Sequence, residues 1–301
     1  MEQRLWKGTQ TNYPIIPGHE PAGIITVLHP DVVLDAAVGD IVAIASLNRC
    51  MQCEACRSGR INLCTGKFVG REPGKLRRIG GFAEFTVVDA WKLFPMPGSL
   101  PFDVIALAEP VACVVHSIRH SEVQLGEDVL VIGAGTMGHL HVLLARLRGA
   151  RVIVSDPDLA RRQHALNHGA ALALSPEELV DGVRETTGGH GVDVVYVTHV
   201  DQRSGQQACE AARRGGRVLF YGSATPPTNL SVDPNHLHRS EIRLDGAVSH
   251  TLEDWLAATR LLARGLLDVS HLVSATYPID EISLAMDHAI SGSAFRVVVT
   301  A

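Results

Sequence analysis

The run Val129-Leu-Val-Ile-Gly-Ala-Gly-Thr-Met-Gly138 constrains the fold of this chain more than any other stretch. An apolar, β-branched segment leads directly into G-x-G-x-x-G, and a helical pattern over 136–147 follows, closed by Gly149. A lone G-x-G-x-x-G says little, but the order strand, glycine turn, helix is what a dinucleotide-binding βα unit requires. Gly133 would permit the tight turn, Gly135 would let backbone N–H groups approach a pyrophosphate, and Gly138 would let helix and strand pack closely. The helix N-terminus adds its dipole for an anionic ligand. The bland alternative is a glycine-rich turn followed by a surface aspartate.

The surrounding pattern agrees. Strand-like runs occur at 128–133, 151–155, 171–174, 193–198, 217–221 and 242–248, with a further helical stretch at 205–214. Such alternation predicts a parallel, doubly wound α/β sheet. Asp156, eighteen residues beyond Gly138 and just after an apolar strand, is placed to accept from a ribose 2′-hydroxyl and to repel a 2′-phosphate, so the expected cofactor is NAD. Gly133, Gly135, Thr136, Met137, Gly138 and Asp156 are the expected cofactor contacts, with Arg161 beside them. Arg161 and Arg162 pull the other way, since an arginine there can accommodate a 2′-phosphate; an exposed helix face is the alternative.

Before this region the chain is rich in glycine, proline and short β-branched runs, at 22–27, 41–45 and 83–88, which read as short strands. Leu93-Phe-Pro-Met-Pro-Gly-Ser-Leu-Pro101 reads as a linker. Within the first zone lies Cys50-x2-Cys53-x2-Cys56-x7-Cys64, while Cys113 and Cys209 stand apart. Four thiolates from one looped segment can surround a zinc ion without a large core. The alternative is four thiols that merely cluster. No apolar h-region marks the N-terminus, so metal is expected rather than disulfides, and a cytoplasmic address is the default. A closed shell of four sulfurs has no open position, which makes this zinc structural and sends the search for chemistry elsewhere.

The chain carries 27 Lys and Arg against 32 Asp and Glu, a balance that offers no basic field to nucleic acid or to an anionic membrane. Its apolar runs, such as 129–132 and 297–299, fall far short of the roughly 20 residues a membrane span needs.

With these motifs in order, the chain resembles the zinc-containing medium-chain dehydrogenase/reductase family, nearest its polyol (sorbitol-like) and threonine dehydrogenase branches. Pro17-Gly18-His19-Glu20-Pro-Ala-Gly23 is similar to the family's GHE-x-x-G, Gly80-Gly-Phe-Ala-Glu84 to its GGFAEY, and Ala108-Glu109-Pro110 to the Glu-Pro of the polyol branch. Tyr277-Pro-Ile-Asp-Glu281 and Arg296-Val-Val-Val299 also fit. The resemblance implies a GroES-like, mainly β catalytic domain at 1–98, completed by 272–301, with an NAD-binding Rossmann domain at 99–271 and substrate in the cleft between them. It also implies a catalytic zinc held by His19, with Glu109, or less directly Glu20, as carboxylate ligand. Arg296 is expected near Glu20 and the cofactor phosphates. An open zinc site polarises a substrate hydroxyl and lowers its pKa, and the resulting alkoxide passes the hydride on its carbon to the nicotinamide ring. Relatives are commonly dimers or tetramers, so a homo-oligomer acting on a small alcohol or polyol is implied. Alone, His19 reads as a hydrogen-bonded structural histidine and Glu109 as a helix-start carboxylate. The other histidines, His116 and His120 among them, have no ligand-like context.

Three departures qualify the resemblance. Aligning Trp6-Lys7-Gly8 with the family's aromatic-x-Gly places the first zinc-ligand cysteine of Cys-Gly-Ser/Thr-Asp-x-His two residues before Met1, with Met1 at the hydroxyl and Arg4 at the histidine position. Either the start is internal to a longer reading frame, or the protein is N-terminally truncated with an incomplete metal site. In Val194-Val-Tyr-Val-Thr-His-Val200, Val197 and Val200 stand where relatives carry Glu and Gly. Arg71-Glu-Pro-Gly-Lys-Leu-Arg-Arg78 forms a basic loop that would either steer an anionic substrate or lie solvated on the surface. The leading expectation is an NAD-dependent secondary-alcohol dehydrogenase acting on a polyol, sugar or cyclitol. The alternatives are a non-catalytic or impaired NAD-binding protein retaining only structural zinc, and a zinc-independent reductase on the same fold.

Overall fold

The computed structural model describes residues 16–45, 49–65, 80–224 and 228–301. The expectations for Met1, Arg4, Trp6-Lys7-Gly8 and the basic loop at 71–78 lie outside them. The chain divides into two compact units, Met1–Cys113 with His250–Ala301, and Val114–Ser249.

The first unit begins with a three-stranded antiparallel sheet of β1 (Ala22–Ile24), β2 (Ile41–Ile44) and β3 (Leu93–Pro95), with β2 central. Ile25, Val42 and Ile44 turn inward from it and meet Leu28, Leu34, Val88 and Leu93. Two expectations are corrected here. The segment 93–101, read as a linker, contributes β3, because Leu93 and Phe94 find ladder partners in Ile44 and Ala43, and Pro95, which has no N–H, sits on the open side of the sheet's edge strand. The run 83–88 is no strand: its β-branched residues lack a ladder, and Phe85 and Val87 are exposed. β propensity expresses fit to a half-buried pleated surface, and none is offered there.

Helix α1 (Glu54–Arg57) belongs to the cysteine lobe, and α2 (Phe102–Ala106) and α3 (Ala108–His120) follow β3. The division between the two units falls within α3, after Cys113.

The second unit is the expected doubly wound sheet. In chain order it comprises β4 (Asp128–Ile132), α4 (Thr136–Leu147), β5 (Arg151–Ser155), α5 (Leu159–Asn167), β6 (Leu172–Leu174), α6 (Leu179–Thr186), β7 (Val192–Val197), α7 (Gln202–Ala211), β8 (Ala212–Phe220), α8 (Pro234–Ser240) and β9 (Arg243–Gly246). Its six strands are all parallel, in the order β6-β5-β4-β7-β8-β9. The order reverses at β4, and in such sheets ligands bind beyond the carboxyl ends of the strands at this switch point. Leu130, Ile153, Val195, Val197 and Val218 are fully buried, as continuous apolar strands covered on both faces must be. α7 begins three residues earlier than the expected 205, because Asp201 and Ser204 form a reciprocal capping box that starts the helix.

The chain then returns to the first unit with α9 (Leu252–Ala263), β10 (Val273–Pro278), α10 (Ile282–Ser291) and β11 (Arg296–Thr300), where β10 and β11 pair in parallel. α2 packs on β1, β2, β10 and α9. That packing places 99–113 and 250–271, which the sequence assigned to the cofactor domain, in the first compact unit.

Candidate functional site

The cysteine lobe is built by local turns. Met51 takes a left-handed conformation (φ 55°) between the first two cysteines, and Gly59 (φ 80°) turns the chain after α1. Cys50, Cys53, Cys56 and Cys64 then converge, with all four sulfurs within 4.8 Å of one another. The Cys50–Cys64, Cys50–Cys56 and Cys53–Cys64 separations are 3.5, 3.9 and 4.0 Å. Zinc with sulfur at about 2.3 Å in a tetrahedron needs edges of about 3.8 Å, so the donor set fits that ion. Backbone N–H groups already favour thiolate: Cys53 N–H donates to Cys50 Sγ at 3.3 Å and Cys50 N–H to Cys64 Sγ at 3.4 Å. Hydrogen bonds from the backbone of Cys56 and Thr65 pull the Cys53 thiol down to about 6, whereas burial pushes Cys56 up to about 12. A bound cation would overcome that second penalty.

A different cluster forms where three distant segments meet. The motifs around His19 and Gly80 interlock through their backbones: Gly81 N–H donates to Gly18 O at 3.0 Å and Phe82 N–H to Pro17 O at 3.1 Å. A Cβ on Gly80 would lie 2.0 Å from Pro17 O, so only glycine allows this approach. His19 and Glu20 are thereby held beside Glu109, at the start of α3, with ligand atoms of all three within 4.8 Å. His19 Nε2 lies 3.9 Å from Glu20 Oε1, and Arg296, at the head of β11, donates to that same oxygen at 2.7 Å. Glu109 is buried, and its carboxyl is pushed up to about 7, first by burial and then by the charge of Glu20; a hydrogen bond from Cys113 and the charge of Arg296 oppose this. A buried carboxyl next to a second carboxylate and an imidazole suits a divalent cation, which would restore the charged form of Glu109.

In the second unit the glycine turn has the expected strand–turn–helix setting. Gly133 has φ 100°, and a Cβ on Gly138 would lie 1.8 Å from Gly133 O. By contrast, nothing but the tip of Arg161 comes within 4 Å of a Cβ on Gly135, which leaves its backbone approachable. Asp156 is buried at the end of β5; its Oδ2 accepts from Ala134 N–H at 2.7 Å and its Oδ1 from Asp158 N–H at 2.8 Å. The carboxylate is thus tied to the glycine turn. Arg162 donates to the carbonyls of Asp156 and Pro157 at 2.6 and 3.1 Å, which commits it to the backbone.

Two family profiles match the chain: an alcohol dehydrogenase GroES-like domain over residues 1–98, and a zinc-binding dehydrogenase domain over 136–264. The L-galactonate-5-dehydrogenase of Escherichia coli K12 is 32% identical over 278 residues, covering 91% of this chain and 79% of the relative. The chain belongs to the zinc-binding dehydrogenases. The L-threonine 3-dehydrogenase of Pyrococcus abyssi is 31% identical to this dehydrogenase, over 99% of the chain and 85% of the relative. Among solved structures, a protein of Sinorhizobium meliloti 1021 described as a zinc-binding dehydrogenase bound to NADP superposes with a TM-score of 0.89 at 27% identity, covering 99% of this chain and 87% of that one. The family resemblance and the pairing of a Rossmann-type sheet with a GroES-like domain therefore hold, and the dehydrogenase is an oxidoreductase. None of its described helices is long and apolar enough to cross a membrane.

Several residues of this dehydrogenase escaped the sequence reading. Thr198 donates its hydroxyl to the carbonyls of Ile132 and Gly133, at 3.0 and 3.1 Å, and so clamps the glycine turn. The same stretch holds Val197, fully buried at the end of β7, and Val200, packed against the sheet's core. Cys113 and His250 bring ligand atoms within 4.8 Å of that of Glu109, a grouping that could hold a metal ion, although the sequence gives His250 no ligand-like context. The i,i+4 spacing of Glu109 and Cys113 was a legible signal for two of those three residues. His250 comes from a segment 137 residues away, and nothing local announces it.

Proposed function

We propose that this dehydrogenase oxidises a secondary alcohol of a polyol, sugar or cyclitol with NAD as hydride acceptor, at a catalytic zinc site that includes His19 and Glu109. The observation that carries this reading is the convergence of His19, Glu20 and Glu109 to within 4.8 Å, on motifs that surround metal ligands in the family. Zinc, when bound there, supplies the positive charge that makes a substrate hydroxyl acidic. His19 offers an imidazole nitrogen from a side chain 59% exposed, open to a substrate. Glu109 offers an anionic oxygen from the buried side, and Arg296 holds Glu20 in place. Relatives named for L-galactonate, L-threonine and sorbitol support a substrate that bears a hydroxyl on a carbon chain.

On the cofactor side, Gly133, Gly135, Thr136, Met137 and Gly138 would present backbone N–H groups and the N-terminus of α4 to the pyrophosphate. Asp156, anchored by two backbone donors, would accept from the ribose 2′-hydroxyl and disfavour the 2′-phosphate of NADP, to which the Sinorhizobium protein is bound in its solved structure. Arg161 and Arg296 are assigned to the phosphates. In this reading 1–98 with 272–301 is the catalytic domain and 99–271 is the cofactor domain, whose ends at 99–113 and 250–271 pack within the first compact unit, and the protein works as a cytoplasmic homodimer or homotetramer.

The test is NADH formation on a panel containing L-galactonate, L-threonine and sorbitol. Glu109→Gln and His19→Ala should each lower kcat/KM by about 100-fold or more while NAD affinity is unchanged. Turnover that survives both substitutions would sink the site assignment. A protein that binds NAD but turns over nothing on the panel would favour the non-catalytic reading.

A further inference from the structure

One metal-competent group reaches past that assignment. Glu109 and Cys113 lie one turn apart on the same face of α3, both buried, with Cys113 Sγ 3.4 Å from Glu109 Oε1. His250, fully buried just before α9, brings its Nε2 to 3.9 Å from the same oxygen. The three ligand atoms lie within 4.8 Å of one another. Zinc with nitrogen, oxygen and sulfur at about 2.0 to 2.3 Å requires tetrahedral edges of about 3.4 to 3.6 Å, close to both separations. The orientation of His250 also suits a ligand. Its Nδ1 lies 3.1 Å from Thr251 O, and a carbonyl can only accept, so Nδ1 carries the proton and neutral imidazole keeps its lone pair on Nε2. A second-ring-nitrogen bond to a backbone carbonyl is the usual way proteins fix a metal-binding histidine. The indole of Trp255, itself buried, sits 5.1 Å from the imidazole and walls the group with apolar surface.

We propose that Glu109, Cys113 and His250 are a three-ligand zinc site, in which Cys113 supplies the thiolate to a set that otherwise offers only imidazole and carboxylate. Three ligands of this kind leave a fourth position open, the arrangement of a catalytic rather than a structural zinc. Binding replaces the Cys113 Sγ–H bond by Sγ–Zn and releases that proton to solvent, together with the Glu109 proton where the carboxyl carries one. The inference rests on the proposed function for Glu109 alone; it does not require His19 to be a ligand.

Metal analysis of the purified protein, equilibrated with zinc, tests it. Cys113→Ala, Cys113→Ser and His250→Gln should each lower the content from about two to about one zinc per chain, the remaining ion being that of the four-cysteine lobe. NAD affinity should be unchanged in all three, which reports an intact cofactor unit. In the wild-type protein, zinc added after chelator treatment should change tryptophan fluorescence, and the change should vanish in Trp255→Phe. That measurement needs no ligand variant to fold. The inference is overturned if the wild type holds a single zinc, or if the Cys113 and His250 variants keep both ions. Loss of an ion in His19→Ala alone would leave the proposed function standing and remove this site.

Discussion

The glycine turn and the Glu109 cluster hold their chemistry in opposite ways. The turn is written in one stretch: Gly133 to Gly138 closes it, and Asp156 and Thr198 reach it from the next strand and the neighbouring one. The cluster gathers His19, Glu109 with Cys113, His250 and Arg296, residues spread across most of the chain. The four-cysteine lobe, though part of the same unit as the cluster, behaves like the turn, since its cysteines span fifteen residues. What separates the sites is locality rather than the unit that hosts them. A local site needs the right turn; an assembled one needs the whole unit packed.

Substitutions can break that contrast. The largest effect should come from Gly138→Val. With a Cβ placed 1.8 Å from Gly133 O the turn cannot close, so NAD affinity should fall by more than about 1,000-fold, while zinc content stays at its wild-type value. Zinc lost along with NAD would show that the local and assembled sites do not stand independently.

Acid should weaken the cofactor unit next. Burial depresses His139 and His141 to about 4, and the His141 ring is satisfied as a neutral group by Met137 O at 2.7 Å and Ser117 Oγ at 2.9 Å. Both groups fall below the ordinary value of 6.5, so the stabilisation is fully present above pH 6.5 and is lost as pH drops toward 4. At pH 5 each should cost about 2 kcal/mol, readable as a lower urea midpoint of the metal-saturated protein relative to pH 7. An unchanged midpoint would mean that these rings protonate without leaving their places.

Smaller effects sharpen the picture of the turn itself. Asp156→Asn keeps one acceptor oxygen but drops the charge, and should shift the NAD-to-NADP preference about tenfold toward NADP. A ratio that does not move would transfer cofactor choice to Arg161. Thr198→Val removes the hydroxyl clamp and should cost about 1 kcal/mol of stability by denaturant unfolding. If NAD affinity also fell more than the stability change explains, Thr198 would be a positioning residue for the cofactor and not a structural bond alone.

Much of the fold could be read before any coordinate. A parallel sheet buried on both faces leaves continuous apolar runs, so β4, β5, β7 and β8 were visible, as was the helix after the glycine turn. The small antiparallel sheet was harder. Its strands are three or four residues long, and β3 lay inside a proline-rich run whose composition favours a linker. Ala83–Val88 had strand-forming residues but no partner strand among the described residues. β10 and α9 also went unread.

Sequence alone determined whatever depends on neighbours in the chain: the sulfur cluster of Cys50 to Cys64, the glycine turn with its acidic partner Asp156, and the family those motifs identify. Only the tertiary structure decided that His250 and Cys113 join Glu109, that Arg296 locks Glu20, and that Thr198 clamps the turn. These contacts join segments up to 276 residues apart, and their geometry is a product of core packing, which leaves no spacing in the sequence to read.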